Sequence, residues 1–179
     1  MNKKVFCIIL VLTVCFSLTT VCSAAGIPSV TDRLKITNYA YAPYVANVYT
    51  AGNPSSGIAI TLYTASGSNC QSWKNIQLIS TPTKPAYSYE YRIACYYEAY
   101  QNLVMNYNQS TTLCTLYNFN NDPIDDYAVY YLYGEYDTVI VLSRRTLFLG
   151  ASGSGNGASM YWYDHNYASA SDNWVITAW

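Results

Sequence analysis

The chain has 179 residues, a formal charge of −1, a single His, 21 Tyr and only 11% charged residues. No tract of clustered Lys or Arg is present, which excludes the phosphate-neutralising surface that nucleic-acid binding requires. The tyrosine excess fits a neutral β-protein surface, and it equally fits a set of rings for contacting sugars or proteins.

The first element is a leader. Basic "MNKK", apolar "VFCIILVLTVCFSLTTVC" and small-residue "SAAG" follow one another in the order of a cleavable secretory signal over residues 1–25, cut after Ala24 or Ala25. A retained membrane anchor is the alternative, since the apolar run is nearly long enough to span. Val21 before Cys22 is a poor match to a lipoprotein site. Secretion is expected, with no second hydrophobic span. Losing Lys3 and Lys4 leaves seven basic against ten acidic residues, a charge near −3.

Residues 26–179 have the size of one domain able to bury most of its surface. Three cysteines remain, Cys70, Cys95 and Cys114. An oxidising compartment favours pairing, but an odd number leaves one thiol over, and the spacing leaves the connectivity open. No Cys or His spacing suggests a metal, and no cofactor is implied.

No stretch keeps a 3.6-residue apolar period, so no helix is expected. Short β-branched and aromatic runs follow in chain order: "IAITLY", "NIQLIS", "YEYRIACYY", "TVIVLS" and "NWVITAW". Gly, Ser, Asn, Asp and Pro clusters separate them, the pattern of an all-β barrel or sandwich. Three segments also superimpose as repeats, starting at Asn47, Asn102 and Thr146. Each holds a strand, a polar turn, a strand ending in an aromatic residue, a polar loop and a further aromatic strand. Leu62-Tyr63 matches Leu116-Tyr117 and Trp162-Tyr163. Gln71-Ser72-Trp73 matches Asp125-Asp126-Tyr127 and Asp172-Asn173-Trp174. A strand precedes each segment: "RLKITNYAY", "YRIACYYEA" and "DTVIVLSRR". Repeats of roughly 45–55 residues in three copies predict closure around an axis, which removes open strand edges. The repeats fall at about 33–80, 88–133 and 136–179.

Three such units resemble a β-trefoil, three pseudo-repeats closing a small barrel with a hairpin cap. More narrowly, "GIAITLY", a short polar loop and Gln71-x-Trp73 are similar to the ricin-B-type lectin domain, as is "YRIACYYEAYQNLVM" at the entry to the second repeat. The likeness covers nearly all of residues 26–179. Asp-x-Tyr in the second repeat and Asp-x-Trp in the third depart from Gln-x-Trp, and an ionised carboxylate cannot copy a glutamine's donor role. Trp73, Tyr127 and Trp174 are expected to form one core layer around the axis.

The resemblance implies a sugar site built from a carboxylate, a stacking ring and an amide. The carboxylate position falls on Asn47, Val104 and Phe148; the ring falls on Tyr63, Tyr117 and Tyr163. The amide region falls on Gln71 with Asn69, on Asp125 and on Asp172. The first repeat is the most complete, because Asn47 can still accept and donate. A glycan or polysaccharide is therefore the expected partner of a secreted, non-catalytic protein. The alternative is a protein-binding trefoil, such as a protease inhibitor or adhesin-like module. His165 beside Asp164 makes no triad, since neighbouring residues point apart. Asp122, Asp125 and Asp126 read as a solvated acidic turn rather than a calcium site. "GASGSGNGAS" lacks the lysine and helix of a phosphate loop and reads as a hairpin turn.

Overall fold

The computed structural model of the protein describes residues 32–48, 53–77, 90–119, 127–133, 137–164 and 170–179. The leader, Asp122, Asp125, Asp126 and His165 lie outside these residues.

Strands form where the β-branched and aromatic runs predict them, and each is only five or six residues long. In chain order they are β1 (Leu34–Asn38), β2 (Tyr44–Val48), β3 (Ile60–Thr64), β4 (Trp73–Gln77), β5 (Tyr91–Cys95) and β6 (Leu103–Tyr107). The second half holds β7 (Cys114–Asn118), β8 (Val129–Tyr133), β9 (Thr138–Leu142), β10 (Leu147–Ala151), β11 (Met160–Asp164) and β12 (Asn173–Ala178). Among the described residues the only helical pieces are short 3₁₀ turns, including Asn69–Gln71, Glu98–Tyr100 and Ala170–Asp172.

Six strands close a barrel. β1 pairs β4, β4 pairs β5, β5 pairs β8, β8 pairs β9, β9 pairs β12, and β12 returns to β1, every pair antiparallel. The other six form three hairpins, β2–β3, β6–β7 and β10–β11. Backbone bridges join the hairpins cyclically: Ala59 to Thr115, Leu113 to Tyr161 and Ser159 to Thr61. Full closure leaves no open barrel edge. The architecture is a β-trefoil.

Alternating side chains fill the interior. Ile36, Ile93 and Ile140 occupy equivalent barrel positions and are fully buried. Leu62, Leu116 and Trp162 close the hairpin end at one shared register. Each buried aliphatic side chain contributes roughly 1.5–3 kcal/mol through removal from water. One polar pair crosses this core: Tyr131 donates its hydroxyl to Asn75 Oδ1 at 2.6 Å.

The register corrects one core assignment. Trp73 stands across from Cys95 and Trp174 across from Asn38, while Val129 stands across from Leu142. Val129 therefore holds the second repeat's place in the layer, and Tyr127, two residues earlier, is only half-buried. A slip of two residues keeps every side chain on its face, so the apolar pattern alone does not reject it.

Candidate functional site

The first repeat opens a cleft of about 190 Å³ on the outer side of the β2–β3 hairpin. Its lining begins with two strands. Asn47 faces Thr61, and Tyr63 faces Val45, so all four share one face, with Asn47 and Tyr63 diagonal neighbours. Asn47 is 6% exposed and lines the cleft. Tyr63 is half-buried and presents its ring at the same cleft.

The loop from Thr64 to Ser72 forms the remaining wall, contributing Ser66, Ser68 and Cys70. Gln71 holds it in shape. Its Oε1 accepts from the Ser66 N–H at 2.8 Å and the Ser66 hydroxyl at 3.1 Å, and its Nε2 donates to the Thr64 carbonyl at 2.9 Å. At 1% exposure, Gln71 lines the floor of the cleft while it holds the loop in shape. Arg33 adds a second clamp, from Nε to Ser72 Oγ at 2.8 Å and from a terminal nitrogen to the Gly67 carbonyl at 2.7 Å. Gly67 has φ +70°, a conformation that favours glycine at this bend. Asn156, from the glycine-rich turn of the third hairpin, accepts the Thr64 N–H at 2.8 Å. Gln71 from within the loop, and Arg33 and Asn156 from outside it, thus fix its shape.

Asn69 points elsewhere. The 3₁₀ turn Asn69–Gln71 interrupts the strand alternation and places Asn69 in a neighbouring cleft, with Tyr97 and Tyr100. The sequence offers little signal for that cleft, because Tyr97 and Tyr100 belong to the next repeat.

The second and third repeats differ. Tyr117 and Tyr163 occupy the same register as Tyr63. Val104 and Phe148, however, align with Val45; the partners of Asn47 are Asn106 and Gly150. Assigning the carboxylate position to Val104 and Phe148 is thus corrected by a two-residue shift of the same kind as at Tyr127. Asn106 donates its amide to the Tyr107 carbonyl at 3.1 Å. In the third repeat, Tyr163 fills the space over Gly150: a methyl group there would meet Tyr163 Cε1 at 2.7 Å and Asp172 Oδ1 at 2.9 Å. Tyr163 also packs on Tyr161 with ring centroids 5.4 Å apart. Asp172 is buried and accepts from Ser171 Oγ at 3.1 Å. The space equivalent to Asn47 is therefore occupied by the protein itself. Among the described residues, no trio of His, Cys, Asp or Glu is placed to hold a metal ion.

No family model matches the sequence, and no curated protein matches it either. Solved structures do match. ThreeFoil, a designed threefold-symmetric protein, is similar at 13% identity with a TM-score of 0.65, over 82% of this chain and 99% of that one. The BEL β-trefoil is similar at 13% identity and a TM-score of 0.62, over 87% of this chain and 99% of that one. A Polyporus squamosus lectin, solved with the glycan epitope Neu5Acα2-6Galβ1-4GlcNAc, is similar at 9% identity and a TM-score of 0.61, over 82% of this chain. This chain spans 49% of that lectin's length. Likeness at such identities carries the fold, and the fold is the trefoil.

Proposed function

We propose that the protein is a secreted, non-catalytic carbohydrate-binding protein whose sugar site is the first-repeat cleft. The observation that carries this reading is the Asn47 amide, 6% exposed, lining one cleft with the Tyr63 ring. An amide that both donates and accepts suits vicinal hydroxyls, and a tyrosine face suits the apolar face of a sugar ring. Ser66 and Ser68 add hydroxyls, and no charged side chain lines the cleft, which favours a neutral sugar. The clamped loop lowers the ordering cost of binding. The leader sequence supports secretion.

A glycan array probed with the wild type, Tyr63→Ala and Asn47→Ala tests the reading. Sugar-selective binding that either variant loses supports it. Absence of binding across the array by a folded protein sinks it. A second reading, a protein-binding trefoil, rests on the exposed side chains of Tyr39, Tyr97, Leu132 and Trp179. It predicts capture of a protein partner that survives both substitutions.

A further inference from the structure

The Asn47 cleft does not stand alone. Beyond Val48 and Cys70, which line both spaces, lies a second cleft of about 290 Å³. Its other walls include Asn53, Asn69, Tyr97 and Tyr100. Each cleft alone falls below the roughly 300–1,000 Å³ typical of ligand pockets, whereas the two together lie within that range.

The second cleft repeats the chemistry of the first. Two amides and two phenol rings line it, and its lining carries no Asp, Glu, Lys or Arg. Tyr97 is 47% exposed, so a large aromatic face is held out in water beside the two asparagines. The backbone that carries the ring is held in a turn: the Tyr100 N–H donates to the Tyr97 carbonyl at 2.8 Å, at the 3₁₀ turn Glu98–Tyr100. The Tyr96 N–H donates to the Ser72 carbonyl at 2.9 Å, tying this turn to the loop that carries Asn69 and Cys70. The second repeat therefore completes a surface begun by the first.

We propose that the ligand is a neutral oligosaccharide of at least two rings, one in the Asn47–Tyr63 cleft and the next against Asn69, Tyr97 and Tyr100. This rests on the sugar reading of the first cleft and adds chain length to it. Cys70, in the shared wall, lies under the linkage between the two rings.

Calorimetric titration of the full chain with galactose, glucose and N-acetylglucosamine, and with their β-linked di- and trisaccharides, tests the proposal. The expected result is a gain of roughly tenfold in affinity from one ring to two. Tyr97→Ala abolishes that gain, and Asn69→Ala, an exposed position less prone to misfolding, reduces it. In parallel, a bound disaccharide slows alkylation of Cys70 by iodoacetamide more than the monosaccharide does. Equal affinity for one and two rings overturns the proposal while leaving the single-sugar site standing, as does a length gain untouched in both variants. Failure of every sugar to bind the folded chain overturns both readings.

Discussion

The indole N–H of Trp73 donates to the carbonyl of Ala46 at 3.0 Å. The third repeat copies this bond: Trp174 donates to the Leu149 carbonyl at 2.9 Å, and Ala46 and Leu149 hold the same register in their hairpins. Each tryptophan thus locks a barrel strand to a hairpin strand while filling the core. In the second repeat Val129 has no donor to offer, and that lock is missing.

Trp73→Ala is expected to cost about 3–5 kcal/mol, mostly through the cavity left in a fully buried site. Trp73→Phe keeps much of the volume but strands the Ala46 carbonyl, so its cost should be smaller yet measurable, about 1–3 kcal/mol. Urea denaturation of both variants checks the order. A loss below about 1 kcal/mol for the alanine variant would remove Trp73 from the core.

Gln71→Ala should loosen the loop that walls the cleft. Three hydrogen bonds to Thr64 and Ser66 disappear, at an expected cost of roughly 1–3 kcal/mol. Gln71→Glu is the sharper variant: it can still accept from Ser66, but when ionised it cannot donate to the Thr64 carbonyl. Amide exchange at Ser66 should accelerate in the alanine variant and stay closer to wild type in the glutamate one.

The strand pattern, the threefold repeat and the Gln71–Trp73 spacing were all legible in the residues, because strand alternation and turn chemistry write them locally. The ring positions Tyr63, Tyr117 and Tyr163 were legible too, each standing next to a large residue that faces the opposite way. What local patterning did not settle was register. Val104 and Phe148 sit two residues from the true partners of Asn47, and Tyr127 sits two from Val129, so the face pattern agrees with either alignment. The outward turn of Asn69 was hidden for another reason: a 3₁₀ turn has no period of two.

Gly150→Ala should destabilise the third repeat by about 1–3 kcal/mol, since the added methyl group has no room against Tyr163 and Asp172. Pairing it with Tyr163→Ala tests the cause. If the tyrosine ring is what fills the space, the double variant should lose less than the two single losses combined, measured by thermal or urea denaturation.

Burial pushes the Cys95 thiol from its ordinary 9.0 up to about 12, with the neighbouring Cys70 adding to the effect, and burial moves Cys114 in the same direction. In the folded protein Cys95 therefore stays protonated at a pH where the unfolded chain already ionises. The unfolded state then loses its proton first and gains stability from doing so. The contribution of Cys95 is complete below about pH 9 and is lost as pH rises from 9 towards 12, by at most about 1.4 kcal/mol per pH unit. The comparison must be with Cys95→Ala, in which the effect of every group common to both chains largely cancels. Urea midpoints from pH 8 to 11 should fall more steeply for the wild type than for the variant. Parallel profiles would show that Cys95 ionises as readily in the fold as out of it. At pH 8, iodoacetamide should modify half-buried Cys70 in the folded chain and reach Cys95 and Cys114 only after unfolding.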